Sequence, residues 1–457
     1  MSGVSPESVQ AAVEEAVGLQ KAGRTDAAER LYRQVLQSCP NHAEANHNLG
    51  IISMQRGQLA EGVAYFKQAL YADGDRDLYR RSYVRSLVMS GQGALAAKVM
   101  EEGGRPGGVS PNADLQQRSQ KANELLLQGN ALTEEGNFSQ AIEHFKHAIA
   151  LNPALADAYR HLGSLLAETG RIAEGFDYLM KQAGLAIRRG TAPQNSPSEP
   201  LHKTKHDGEQ HAYLIAQGRI PLNASATNFF HLGDGARLAA SALNGNHLTA
   251  AALQEWRTRV PQVMVVDDFL ARPALERLRR FCADSTVWRR VYDAGYLGAT
   301  PADGFACPLL AQITEEISSV YRDIFGGHPF RYLGGFKYDS ELSTGTNIHA
   351  DYSAINLNLY ITPDEANLDP DSGGMLIWNV AARDERELRR YNSNDGEIRE
   401  YLRHSQAQAM RVAHRANRAV FFKSSLFHKT DTCRFKEGYL NKRINVSFLF
   451  GQFGSAP

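Results

Sequence analysis

The chain has 457 residues, 50 basic against 50 acidic, with 43% hydrophobic and 22% charged positions. That length accommodates two or three domains, each able to bury a core, and the charge balance excludes the long-range field that recruits nucleic acid or an anionic membrane. Four scattered cysteines, Cys39, Cys282, Cys307 and Cys433, form no C-x-x-C pair, so neither a disulfide frame nor a zinc ribbon is expected.

The first residues lack a basic start and an apolar run, and no segment reaches the roughly 18 apolar residues of a membrane span. A cytoplasmic protein is expected. Glycines then recur at Gly23, Gly57 and Gly91, and again at Gly136 and Gly170, 34 residues apart within each set. Gly50, Gly129 and Gly163 precede this marker in phase, and Ala28, Gly62, Ala96, Ala141 and Gly175 follow it. Tyr32, Phe66 and Phe145 come next, then Pro40 and Pro153. Small residues at such phases let two antiparallel helices approach closely while an aromatic side chain fills the gap. A period of this length resembles the tetratricopeptide repeat. Five repeats are expected over residues 1–190, the third degenerate, with a break near 101–117. Arrays of this kind hold a protein or peptide in their groove, or serve homodimerisation.

A Pro- and Ser-rich stretch, residues 191–207, reads as a linker, and residues 208–259 as a helical connector. From residue 260 the pattern turns to strands: Val263–Phe269, Phe330–Tyr338, Ile355–Ile361, Met375–Trp378, Ala419–Phe422 and Arg443–Phe450. Helices are expected over Pro273–Cys282 and Leu309–Phe325. Many short strands with a few packing helices suggest a jelly roll or related double-stranded barrel over 260–457. The fold class is therefore α+β: an all-α repeat array followed by a double-stranded β-helix.

Two strands alternate informatively. Asn356, Asn358 and Tyr360 share one face of the first, and Arg443, Asn445 and Ser447 one face of the second. A solvated outer face is the ordinary explanation. A cavity holding a charged ligand is the alternative, and it needs such an inward polar lining. His349 and Asp351, one residue apart, point the same way on an extended chain, and a lone His428 follows. Two histidines and a carboxylate on one side of a metal leave its other positions open, the facial arrangement of non-haem Fe(II) oxygenases.

The segment from about Val263 to Gly451 resembles the Fe(II)/2-oxoglutarate-dependent oxygenase superfamily, nearest its prolyl-hydroxylase-like branch, in the runs His349–Asp369 and Leu426–Ser447. Those runs are similar to bacterial oxygenases fused to tetratricopeptide repeats, and the resemblance covers about 190 residues. The resemblance implies that His349, Asp351 and His428 bind Fe(II), and that Arg443, helped by Ser447, pairs with the far carboxylate of 2-oxoglutarate. It places Tyr338 and Tyr360 against the co-substrate, with Asn356 and Asn358 in hydrogen-bonding reach. O2 is the second co-substrate, and ascorbate an accessory reductant. The implied activity is hydroxylation of an unactivated C–H, foremost on a protein or peptide side chain. The rivals are a small molecule, glycan or lipid precursor, and a non-catalytic adaptor with a relic barrel. His428 and Arg443 lie 15 residues apart, more than is usual in that branch, so Lys442 and Arg434 stand as alternative carboxylate partners. Strand alternation favours Arg443. The mixed-charge insertion at 382–410 reads as a solvated helix or as a lid.

Overall fold

The structure is a computed structural model that describes residues 6–74, 76–101, 111–188, 200–221, 230–245, 249–342 and 345–454. The Gly- and Pro-rich break at 102–110 and most of the expected linker lie outside the described residues. Two compact units divide within a single helix, at Asn123 and Glu124.

The first unit is a run of helical hairpins: α1 (Pro6–Lys21), α2 (Thr25–Ser38), α3 (Ala43–Gln55), α4 (Leu59–Ala72), α5 (Asp77–Met89) and α6 (Gly93–Glu101), then the start of α7 (Pro111–Glu134). The hairpins continue in the second unit with α8 (Phe138–Leu151), α9 (Ala156–Glu168) and α10 (Ile172–Arg188). Each spaced glycine, from Gly23 to Gly170, sits in the turn inside a hairpin with φ between 75° and 89°. A side chain would be strained there. The close approaches are made by the other set. A Cβ on Gly129 would lie 2.5 Å from the Phe145 ring, and one on Gly163 2.7 Å from the carbonyl oxygen of Gly175. The third hairpin, expected to be degenerate, keeps both of its helices.

The last hairpin does not end in a polar cap. Ile172, Phe176 and Leu179 of α10 are buried in one cluster with Leu309, Ile313 and Ile317 and with strand residues Phe330, Val446 and Phe450. Glu168 at the end of α9 pairs with Arg331 at 2.5 Å. The final repeats and the sheet-rich region therefore share one core.

The expected helical connector is corrected by the structure. Helix α11 (Leu201–Ala216) begins inside the expected linker, and α12 (Ala250–Thr258) precedes the sheet, but residues 230–245 form an irregular strap with no regular helix. Its glycines explain why: a Cβ on Gly233 or Gly235 would fall 2.7 Å from Asp284 or 2.4 Å from Cys307. Backbone N–H groups freed from helical bonding find side chains instead, Leu238 on Gln312 at 2.8 Å and Leu243 on Glu316 at 2.9 Å.

The strands are β1 (Val263–Val266), β2 (Arg290–Tyr292), β3 (Tyr296–Ala299), β4 (Phe330–Tyr338), β5 (Glu341–Leu342) and β6 (Ile355–Tyr360). They continue with β7 (Met375–Ala381), β8 (Ala409–Val412), β9 (Arg418–Lys423), β10 (Leu426–Thr430), β11 (Cys433–Arg434) and β12 (Ile444–Phe450). A seven-stranded antiparallel sheet runs β1-β9-β6-β12-β4-β3-β2, a three-stranded one β10-β7-β8, and β11 pairs with β5. Helices α13 (Arg272–Asp284), α14 (Pro308–Val320) and α15 (Arg322–Phe325) cover one face of the large sheet through Leu357, Leu359, Val446 and Phe448. The expected single helix over Leu309–Phe325 is thus broken at Tyr321. The two main sheets meet through Val420, Phe422, Met375 and Ile377.

The insertion folds as α16 (Glu385–Asn392) and α17 (Asp395–His404). Both helices are charged outside, but Leu388, Tyr391, Ile398 and Leu402 are buried against Ile348, Ala350 and Phe427. It is neither a fully solvated helix nor detached from the sheets. All four cysteines are free, and among the described residues no helix is long and apolar enough to cross a membrane.

Candidate metal centre

The polar faces of β6 and β12 are adjacent, with Asn358 opposite Ser447 and Tyr360 opposite Asn445. They are buried: Asn356, Asn358, Asn445, Ser447 and Arg443 all fall below a tenth exposed. The solvated-face explanation is thereby excluded. These residues line an open cavity of about 710 Å³, together with His349, Asp351, His428, Tyr338 and Tyr360.

At one end, side-chain atoms of His349, Asp351 and His428 lie within 4.8 Å of one another. His428 sits on β10 just after a register shift that re-aims the strand, and its backbone exchanges two hydrogen bonds with His349, at 3.0 and 2.8 Å. Each imidazole donates from Nδ1 to a carbonyl, His349 to Asn347 at 3.0 Å and His428 to Leu426 at 2.9 Å. With each Nδ1 so engaged, Nε2 is the ring atom left to meet a metal. His428 Nε2 lies 3.4 Å from Asp351 Oδ2. Burial, with the charge of His428 adding to it, holds the His349 imidazolium below its usual range. For Asp351, burial works upward, but the bonds and charges of His428, His349 and Asn356 outweigh it and lower the carboxyl. A neutral imidazole beside a carboxylate is the ionisation a divalent metal requires.

At the other end lies Arg443, 1% exposed. Its Nε donates to Gly373 O, Nη2 to Gly374 O at 3.2 Å, and Nη1 to Asn445 Oδ1 at 2.9 Å. Its guanidinium stacks 4.4 Å from the Tyr338 ring centre and 5.2 Å from that of Tyr360. Three of its five N–H donors thus meet neutral acceptors. Among the described residues no carboxylate is within ion-pair distance of it. A buried cation without a counter-ion is costly unless something anionic joins it. Nearby, the buried Tyr360 hydroxyl finds no acceptor for its proton, and burial raises it to about 12, so it remains a donor. His414, 5.4 Å from the Tyr360 ring, is pushed down to about 3 by burial and then by the Arg443 charge, and so is neutral.

A row of carboxamides joins the two ends. Asn356 donates to Asp351, Asn358 to Asn356 at 3.1 Å, and Asn445 to Asn358 at 2.8 Å. The Ser447 hydroxyl donates to Asn358 at 2.7 Å, so its proton braces this row instead of facing a ligand. The Tyr338 hydroxyl pairs with Thr430 at 2.9 Å, leaving its ring as the contact to Arg443. Lys442 points to the opposite side, on Asp339 at 2.6 Å and Glu209 at 3.1 Å, and Arg434 is exposed on β11. Neither lines the cavity. Sequence reasoning left Asn445 out of the site, although it shares the face of Arg443 and Ser447. It also passed over Asn392, Thr430 and the tyrosines of β2 and β3, which carried no such signal.

Two family models match. One described as a tetratricopeptide repeat covers residues 19–102, and one described as a TPR repeat covers 129–170. Those segments are tetratricopeptide repeats. Among curated proteins, "Cellulose synthase 2 operon protein C" of Komagataeibacter xylinus is 26% identical over 167 residues, 35% of this chain and 13% of that protein. The chain thus matches about an eighth of that relative's length. Among solved structures, YrrB, "a TPR protein with an unusual peptide-binding site", is 20% identical, covering 38% of this chain and 84% of its own, with a TM-score of 0.20. The "non-heme alpha ketoglutarate dependent carbocyclase SnoK from nogalamycin biosynthesis" is 13% identical over 46% of this chain and 86% of its own, at 0.34. The corresponding epimerase, SnoN, is 15% identical over 45% and 84%, at 0.33.

Proposed function

We propose that the sheet-rich region is an Fe(II)/2-oxoglutarate-dependent oxygenase of the double-stranded β-helix kind. In this reading it hydroxylates an unactivated C–H on a protein or peptide side chain that the repeats help to bind. One observation carries the reading: a buried, acid-free Arg443 shares a cavity with a His349, Asp351 and His428 cluster. The residues fit the pair of ligands by charge. A divalent cation beside Asp351, with Arg443 at the far end, leaves two positive charges, and a dicarboxylate cancels both. They also fit by hydrogen bonding, since Arg443 keeps one spare N–H on each terminal nitrogen and Tyr360 keeps its hydroxyl.

When bound, iron and 2-oxoglutarate would supply O2 activation and C–H hydroxylation, releasing succinate and CO2. The chain's own groups hold and orient. His349, Asp351 and His428 would hold the metal on one side. Arg443 would grip the far carboxylate through two parallel bonds, with Tyr360 donating beside it. The Tyr338 ring covers the guanidinium and keeps water from it. The carboxamide row keeps the spacing between the two ends, so that a ligand spanning them is oriented before it reacts. The completeness of this set argues against a relic that only scaffolds.

Arg443→Met tests the reading. Loss of a buried charge-assisted pair is expected to weaken 2-oxoglutarate binding by about 10- to 100-fold, with Mn(II) affinity little changed. Isothermal titration of 2-oxoglutarate into the Mn(II)-loaded protein reads the difference. Equal affinities in the two proteins would place the carboxylate anchor elsewhere.

A further inference from the structure

Residues 349–351 belong to no regular ladder. His349 and His428 form an isolated bridge, and the Asp351 N–H is taken by Ser424 O at 2.9 Å. The peptide groups of Ala350, between the two ligands, therefore have no neighbouring strand. The insertion supplies a substitute. Asn392 Oδ1 accepts the Ala350 N–H at 3.0 Å, and Asn392 Nδ2 donates to Ala350 O at 2.7 Å. One carboxamide thus does what a paired strand residue would do. Asn392 is the last residue of α16, and it also lines the cavity. The elements around it are firmly closed: Asp384 caps α16 through Glu387 N at 2.8 Å, and Asn394 caps α17 through Gly396 N at 3.1 Å. Beneath it, Ala350 packs in the same buried cluster as Leu388 and Tyr391.

We propose that Asn392 is a positioning residue of the metal centre, and that the 382–410 insertion is a fixed bracket for the ligand arm instead of a moving lid. This rests on the reading of His349, Asp351 and His428 as metal ligands. The physical argument is local. In a His-x-Asp arm the φ and ψ of the middle residue decide whether the two side chains converge on one point. Pinning both polar groups of that residue narrows their spread before a metal arrives. Only a carboxamide of this length can donate and accept at once at this position. An aspartate would accept only, and a leucine would do neither. Asn392 is itself exposed, so losing its head group opens no cavity and leaves the apolar packing of the insertion in place.

The test uses the full chain, with Mn(II) titrated by electron paramagnetic resonance and the Co(II) ligand-field spectrum as a second readout. Asn392→Ala and Asn392→Leu are compared with the parent and with His428→Ala. Both Asn392 variants are expected to bind Mn(II) about tenfold more weakly, the low end of what loss of a ligand-orienting partner costs. Their Co(II) bands should shift, while the metal-free melting temperature stays within a degree or two. Parent-like affinity in both variants would overturn the proposal. So would parent-like affinity in Asn392→Leu alone, which would assign the effect to bulk and not to hydrogen bonding. A large drop in metal-free melting temperature that accounts for the lost affinity would make Asn392 merely structural, and would also overturn it. If the parent protein and His428→Ala bind Mn(II) alike, the metal reading itself falls and takes this proposal with it. That outcome is distinct from a parent that binds normally beside variants that do too.

Discussion

Asp351→Ala is expected to lower Mn(II) or Fe(II) affinity at least a hundredfold, the larger part of it electrostatic. Partners one step removed from a metal already cost 10- to 100-fold when lost, and Asp351 is the one charged member of the set. Without it, two imidazoles and no carboxylate would face a divalent cation in one cavity with a buried Arg443 whose charge repels it. The substitution also strips the acceptor from the Asn356 amide, which loosens the carboxamide row. Asp351→Asn keeps an acceptor for Asn356 but not the charge, so it should behave nearly as badly toward metal while melting like the parent. Metal analysis of the purified proteins, with Mn(II) titration, distinguishes these. Retention of one tightly held metal ion in Asp351→Ala would refute the assignment.

The second large effect concerns where the chain can be cut. Removing residues 1–123 should leave a cooperatively folding protein that still binds metal, because the second compact unit is then almost untouched. Removing residues 1–188 should not. That deletion takes Ile172, Phe176 and Leu179 out of a core they share with Phe330, Val446 and Phe450. At about 1.5–3 kcal/mol for each large apolar side chain, the loss is roughly 5–9 kcal/mol. A whole domain is stable by only about 5–15 kcal/mol. It also removes Glu168 from Arg331 and leaves the Glu315 carboxylate without the Ala173 N–H at 3.2 Å. The expected product is aggregated or expanded, with no sharp thermal transition and no metal site. Calorimetry of the two truncated chains decides, and a cooperative transition in the shorter one would show that the sheet folds without the last repeats.

Much of this was legible. The 34-residue spacing reported the hairpins because the turn glycines need positive φ at a fixed place in each. Strict alternation reported β6 and β12, because one face of each meets the helices and the other the cavity. What escaped notice has physical reasons. Strands β2 and β3 are short and rich in tyrosine and glycine, with no aliphatic run to mark them. The strap at 230–245 keeps scattered leucines but packs by glycine and by side-chain capping of its backbone, which leaves no period. Asn392 acts on a peptide group 42 residues away, and no local pattern announces such a contact. The shared core did leave a trace. Ile172, Phe176, Leu179 and Ala183 make an apolar stripe on the last repeat helix, where a free-standing array carries a polar outer face.

The row of amides between Asp351 and Arg443 has a consequence for the acidity range over which the proposed anchor would work. Carboxamides and serine carry no titrating proton. Of the groups beside it, burial pushes His414 down to about 3, Tyr360 up to about 12 and the Cys433 thiol up from its ordinary value, and a guanidinium keeps its proton throughout. From about pH 6 to pH 8 His414, Tyr360 and Arg443 therefore each keep one charge state. His414 would gain its proton only well below that window and Tyr360 would lose its own only well above it. Titrated at saturating metal, the proposed grip of Arg443 on a dicarboxylate should be flat across that window. Any slope in turnover there would then originate at the other end of the cavity or in the substrate.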